Sequence, residues 1–416
     1  MTDASSKYGS LAPLKEKEFR RYIIFRFIYI MALRMVATVA GYKLFQLTQS
    51  SFAIGLVGLS EFIPVFSLAL YAGHVIDRSD KRTLLLKSVL LYAVCAAGLI
   101  VLTLPQVEAG LNKKGVELSF YFIIFCTGLI RAFSGPASTA ILSQLVPRNT
   151  LHYAANISSS TWLAASISGH ASAGFFIAWF GVNATFWIIL AYILFAAIIL
   201  SGVKKKPIIA PAANNLGTWE SVKEGLQYVF KNKILLGAIS LDLFAVLFGG
   251  AVALIPEFAE KILKTGPIGF GWLNAAMDIG SVITITTLTL FPMKRRQGYR
   301  LMYAVAGFGI CIIIFGISKI YWISFLALLI AGMMDGISVL VRGTILQLTT
   351  PDEMRGRVAS VNSMFINSSN ELGMFESGFT SRLMGTAPAV IFGGSMTLLV
   401  VIITWIKAPR LRKFEY

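Results

Sequence analysis

The chain has 416 residues, 56% of them hydrophobic and only 14% charged, with a mean hydropathy of +0.72. Soluble domains carry about a quarter charged residues, so a water-soluble enzyme or binding module is excluded and a multi-pass membrane protein is expected. The net charge of +17 does not indicate nucleic acid, because the lysines and arginines gather in short segments on one side of the apolar runs, as the positive-inside rule describes.

A helix needs about 20 apolar residues to cross a bilayer. Such runs fall at 22–47, 51–76, 83–104, 117–145, 153–181, 184–203, 234–258, 267–291, 300–318, 321–349, 359–384 and 387–407. This predicts an all-α membrane protein with twelve spans and both termini in the cytoplasm. The divisions are a cytoplasmic tail over 1–21, a six-helix bundle over 22–203, a cytoplasmic linker over 204–232, a second six-helix bundle over 233–407 and a tail over 408–416. The first 21 residues are polar, with no short apolar core or cleavage site, so no cleavable signal peptide is expected. Cys95, Cys126 and Cys311 all lie inside apolar runs, which argues against disulfides or a cysteine metal site. In the linker, residues 218–230 place apolar side chains at 219, 222, 226, 229 and 230. That spacing predicts an amphipathic helix on the inner membrane surface, capped by Thr218.

The halves resemble each other. Ile54-Gly55-Leu56-Val57-Gly58-Leu59 aligns with Ile268-Gly269-Phe270-Gly271-Trp272-Leu273, and at the same offset Lys81-Arg82 falls on Arg295-Arg296. Near the fourth and tenth spans, Ile141-Leu142 and Pro147 match Ile345-Leu346 and Pro351. Parallel six-helix repeats are one way transporters are built.

The loop after the second span reads Gly73-His74-Val75-Ile76-Asp77-Arg78-Ser79-Asp80-Lys81-Arg82. It resembles the loop between helices two and three of the major facilitator superfamily. That resemblance implies two pseudo-symmetric six-helix bundles and a cytoplasmic latch of Gly73, Asp77, Arg78, Lys81 and Arg82 with Arg355 and Arg357 before the eleventh span. Asp80 stands where the family usually has a second glycine, so a less tight turn is expected. Gly169-His170-Ala171-Ser172-Ala173-Gly174 resembles the helix-five packing motif of antiporters, with His170 in place of its proline. Arg131, followed four residues later by Gly135, resembles the helix-four arginine that the family associates with proton transfer.

Ionisable groups within hydrocarbon cost several kcal/mol unless they face protein or water, which makes them functional candidates. Here they are Arg34, Glu61, Arg131, Asp242, Asp278, Asp335, Arg342, Glu371 and Glu376, in spans one, two, four, seven, eight, ten and eleven. Spans three, six, nine and twelve carry none. Those four are expected to face lipid while the others ring a water-accessible cavity. The second half holds five acids against Arg342, and desolvated carboxylates can load and release protons near neutrality. Asp242 and Glu371 are the leading proton carriers, and Ser363, Asn367, Asn370 and Glu371 give the eleventh span a polar stripe.

Residues 241–256 and 350–378, with Arg355-Gly356-Arg357 and Asn370-Glu371-Leu372-Gly373, are similar to the drug and siderophore exporter branch of the superfamily. That branch includes enterobactin-exporter-like and macrolide-efflux-like members. The resemblance implies a monomeric, multi-pass protein of the bacterial inner membrane that exports an amphipathic small molecule against protons. Nothing reads as an enzyme: there are three histidines and no His-Glu-x-x-His, Walker loop or Gly-x-Ser-x-Gly elbow. No cofactor is expected, and the proton gradient is the expected energy source. The residues leave open a lysophospholipid flippase, an uncoupled facilitator or, in a different class, a membrane receptor or structural subunit.

Overall fold

The computed structural model describes residues 11–207, 218–291, 293 and 295–415, and among these there are helices and no strands. The long helices are α1 (Lys17–Thr48), α2 (Ser51–Asp77), α3 (Lys81–Leu102), α4 (Lys113–Ala140) and α5 (Leu151–Ser201). A short α6 (Thr218–Lys231) leads to α7 (Lys233–Gly249), α8 (Pro267–Leu290), α9 (Gln297–Ile317), α10 (Tyr321–Thr349), α11 (Arg355–Met384) and α12 (Thr386–Lys407).

Ten helical stretches among the described residues are long and apolar enough to cross a membrane. They differ from the twelve expected spans at two places. The expected fifth and sixth spans form the single 51-residue α5, which is broken at Gly181, where φ is 79° and ψ is 173°. L-residues with a Cβ rarely adopt that conformation, so the glycine marks the boundary that was expected between 181 and 184. The other departure is α11, too polar to pass on hydropathy because Asn362, Ser363, Asn367, Asn370, Glu371 and Glu376 interrupt it.

The described residues divide into two compact units. One comprises Met1–Ala40 with Ile63–Asn214, and the other Gly41–Phe62 with Asn215–Tyr416. In the first, α3 packs on α4 and on α5. In the second, α8 packs on α10, α9 on α10 and α12, and α7 on α11 and α12. Phe258, Phe270, Leu273, Phe315 and Leu328 fill one core there, while Leu235, Leu241, Met302, Val341 and Ile345 fill another. The expected bundle boundary assigned Gly41–Phe62 to the N-terminal half, whereas its packing partners lie in the second unit.

Lipid-facing surface runs along α3 at Leu90, Leu91 and Val94, along the last part of α5 at Trp187, Phe195 and Ile198, along α9 at Ile310 and Ile317, and along α12 at Ile402 and Ile406. These are the four charge-free spans. However, α10 also exposes Trp322, Leu326 and Ile330, and α4 exposes Leu118 and Phe122. α10 is apolar over its first turns and carries Asp335 and Arg342 further along, so one helix can meet lipid at one level and a polar interior at another.

Three residues, Arg78-Ser79-Asp80, join α2 to α3. Asp80 is the N-cap of α3, accepting from the backbone N–H of Arg82 and Thr83, at 3.3 and 3.2 Å, and from the Thr83 hydroxyl. It also accepts from Lys206 N–H at 3.0 Å. An aspartate does here, through its side chain, what a glycine would do through backbone freedom. Burial works against the charged carboxyl, but these hydrogen bonds outweigh it and hold Asp80 below the ordinary carboxylate value. A lowered folded-state pKa stabilises above the unfolded value of about 4, and that stability is lost as pH falls through the folded value. Asp80→Ala should therefore cost about 1–2 kcal/mol at pH 7. Thermal unfolding in detergent should show the gap from wild type narrowing in acid.

Candidate functional site

The buried charges of the second unit converge between α7 and α10. Asp242 comes from the middle of α7 and Arg342 from the last third of α10; they are 5% and 6% exposed and form an ion pair. Arg342, Ser338 and Asp335 lie on one face of α10 at helical spacing, and Asp242, Ala245 and Val246 do so on α7. Together with Val305 and Phe308 of α9 and with Met334, the residues Asp242, Ala245, Val246, Asp335 and Ser338 enclose a cavity of ≈ 10 Å³.

The position of α10 is set by its neighbour. A Cβ on Gly332 would run into the Met277 carbonyl oxygen, and one on Gly280 into that of Leu329. Such close approach of backbones is what small residues permit in membranes. The Ser281 hydroxyl donates to the Gly332 carbonyl at 3.0 Å and Thr284 to that of Met333 at 2.9 Å. This crossing brings Asp278 of α8 near Asp335, adding a second negative group beside the first.

Glu371, in α11, is 7% exposed. Two residues on, Gly373 packs so closely on α7 that a Cβ would lie 2.8 Å from the Val246 carbonyl oxygen. On the other side, Gly58 and Gly55 of α2 meet the backbone of α11 at Glu371 and Met374. Ser363, Asn367 and Asn370 are exposed along one face of α11. Glu376 is half-buried and accepts from the Thr380 hydroxyl at 2.8 Å. Glu61 is half-buried on α2, within the segment that groups with this unit.

In the first unit, the Arg34 guanidinium lies over the Trp162 ring, 4.8 Å from its centroid. Cation–π contacts of this kind suit a poorly solvated site. Gly169 lets α5 reach α1, since its Cβ would fall 2.6 Å from the Met31 carbonyl oxygen. Next to it, His170 Nδ1 is 2.7 Å from Thr38 Oγ1. Gly174 is buried and Arg131 half-buried.

Two of the basic residues expected to form a latch, Arg82 and Arg357, have partners within their own units. Arg82 donates to the carbonyls of Val203 and Ser201, at 3.0 and 2.6 Å, tying the start of α3 to the end of α5. Arg357 pairs with Glu224 of α6 at 2.5 Å. Lys81 is buried, while Arg78 and Arg355 are exposed. Gly73 has open space around its α-carbon; the side chain of Asp77 lies outside the described residues. The expectation for α6 changes as well. Rather than lying on lipid, Leu226 and Val229 join the core that holds Val358 and Val361, and Gly225 sits against the Arg357 carbonyl. Thr218 and Trp219 lie outside the residues whose side chains are described.

Two functional groups were missed. Arg26 donates to Ser138 Oγ at 2.6 Å and to the Ser158 carbonyl at 3.3 Å, joining α1, α4 and α5. Ser338 had no signal of its own. The offset that carries Ile141 onto Ile345 also carries Ser138 onto Arg342, Arg131 onto Asp335, and Gly169 and Gly174 onto Gly373 and Gly378, but it takes Arg26 onto Phe230 and so gives no signal for that arginine.

Helices long and apolar enough to cross a membrane, with an ion pair buried between two of them, are those of a multi-pass membrane protein, and its family and fold make it a transmembrane transporter of the major facilitator type rather than an enzyme. Solved structures agree in fold. The nucleoside transporter NupG superposes with a TM-score of 0.72 at 14% identity, covering 96% of this chain and 100% of that one. A bacterial homologue of the human lysosomal transporter Spinster, inward-facing and unoccupied, gives 0.69 at 13% identity over 99% of this chain and 97% of its own. The chain belongs to the transmembrane secretion effector family, whose profile matches residues 8–416. It is also similar to the enterobactin exporter EntS of Shigella flexneri, 23% identical over 399 residues, covering 95% of this chain and 93% of that protein. EntS of Escherichia coli O81 (strain ED1a) is 22% identical over 398 residues, with the same coverage.

Proposed function

We propose that this transporter is a proton-coupled exporter of an amphipathic small molecule, a siderophore or a drug, working by alternating access as a monomer in a bacterial inner membrane. The observation that carries the coupling is the Asp242–Arg342 pair, buried beside a second acid, Asp335. Protonating Asp242 removes the attraction that holds α7 to α10, so proton binding and helix movement become one event. Glu371 is the second carrier, on a helix whose exposed face is polar and unsuited to lipid. The exporter direction and the siderophore class follow the likeness to enterobactin exporters. The gathering of lysine and arginine in segments on one side of the apolar runs supports both termini lying in the cytoplasm, and no cofactor is needed because the proton gradient supplies the energy.

The test uses purified protein in proteoliposomes with enterobactin as the probe and an imposed pH gradient. Gradient-driven accumulation is expected in wild type and should fall at least tenfold in Asp242→Asn. Equal transport with and without the gradient, or in wild type and both Asp242→Asn and Glu371→Gln, overturns the coupling. Accumulation of lysophospholipid but not enterobactin moves the substrate class.

A further inference from the structure

The cavity between α7, α9 and α10 is the size of a single water. Its ≈ 10 Å³ of space for a water centre matches the lower limit for one such molecule. Its polar lining consists of Asp242, Asp335 and Ser338; the remaining residues are Ala245, Val246, Val305, Phe308 and Met334. Ser338 is 2% exposed, and its hydroxyl has no hydrogen-bond partner among the described residues. A buried hydroxyl left so is unfavourable unless something accepts or donates to it. A buried water takes two to four polar partners, and three are present here.

The geometry points to a one-water proton relay in which the Ser338 hydroxyl positions a water between Asp335 and the Asp242 member of the buried ion pair. The inference rests on the proton-coupled function and names its internal path. The protonated Asp335 carboxyl gives its proton to the water, and the water gives one of its own to the Asp242 carboxylate. Asp335 is left ionised, Asp242 neutral, the water unchanged and Arg342 still charged. Ser338 touches only the water, so it is a positioning residue.

The other groups around the cavity fit this role. Asp278 of α8 lies near Asp335. From α11 the nearest acid is Glu371, two residues from the contact of Gly373 with Val246. From α12, Thr397 donates to the Ala245 carbonyl at 3.2 Å, and α9 contributes Val305 and Phe308, with Cys311 a turn further on. The walls on those sides are apolar and offer the water no further polar partner.

The test is infrared difference spectroscopy of the full-length protein in lipid nanodiscs, acid minus alkaline. It needs no substrate. In wild type, a protonated-carboxyl band that Asp335→Asn removes should accompany a weakly bonded water band that shifts in H₂¹⁸O. Ser338→Ala should remove the water band and shift the carboxyl band. Ala245→Val, which fills the cavity and leaves Ser338 in place, should remove the water band independently. If the carboxyl band titrates but no isotope-sensitive water band exists, or if it survives in both Ser338→Ala and Ala245→Val, the relay is wrong while the coupling stands. If no carboxyl band titrates that either Asp242→Asn or Asp335→Asn removes, the coupling itself fails, and the relay with it.

Discussion

Arg342→Leu should destabilise the protein by about 3–5 kcal/mol, because it leaves the Asp242 carboxylate buried without its counter-charge. The pair is 5% and 6% exposed, so bulk solvent does little to screen the charge left behind. Asp242→Asn combined with Arg342→Leu should recover most of that loss, since neither partner then carries a charge. Melting curves in detergent for the two single variants and the double variant measure the coupling directly. Additive effects would mean that the pair contributes nothing specific. The double variant should nevertheless remain inactive in gradient-driven transport, which separates stability from function.

Gly332→Leu is expected to be as severe for a different reason. A Cβ alone at 332 already collides with the Met277 backbone, and backbone cannot rotate aside as a side chain can. Overpacking of this kind costs about 1–3 kcal/mol when neighbours can yield, and more at a contact between two main chains. The variant should fail to give a monodisperse protein. Gly332→Ala should fold but push α8 and α10 apart, moving Asp278 away from Asp335. Thermal stability and the pH profile of transport would both shift. An unchanged pH profile in Gly332→Ala would show that the crossing is structural only.

Composition and period made the membrane class and most of the helices legible. The break near Gly181 was visible because two apolar runs met at a glycine. The polar character of α11 was visible in Ser363, Asn367, Asn370 and Glu371. Asp242, Arg342 and Asp335 could each be picked out as charges where lipid forbids them. Their pairing could not, because residues a hundred positions apart meet only through tertiary packing. Ser338 was silent, since a serine in a membrane helix is ordinary until its surroundings are known. Gly332-Met333-Met334-Asp335-Gly336 is a small-x-x-x-small pattern around an acid, a signal present but not used. Asp80 was compared with an absent glycine when the capping geometry with Thr83 was the informative relation. In α6 the apolar face was real, and only its partner differed: protein rather than membrane.

The placement of Gly41–Phe62 bears on how the chain is made. Its contacts are distant in sequence: Ser51 donates to Glu257 at 2.5 Å, Lys261 lies over Phe45, and Gly55 meets Gly378. A ribosome delivers this stretch some two hundred residues before the earliest of those partners, and over three hundred before the last. The ends of α1 and α2 therefore enter the bilayer without neighbours and wait there, as helices inserted first and assembled later do. The N-terminal half is an unfinished object until translation nears its end, and a fragment stopping at the linker should be held by membrane chaperones or degraded.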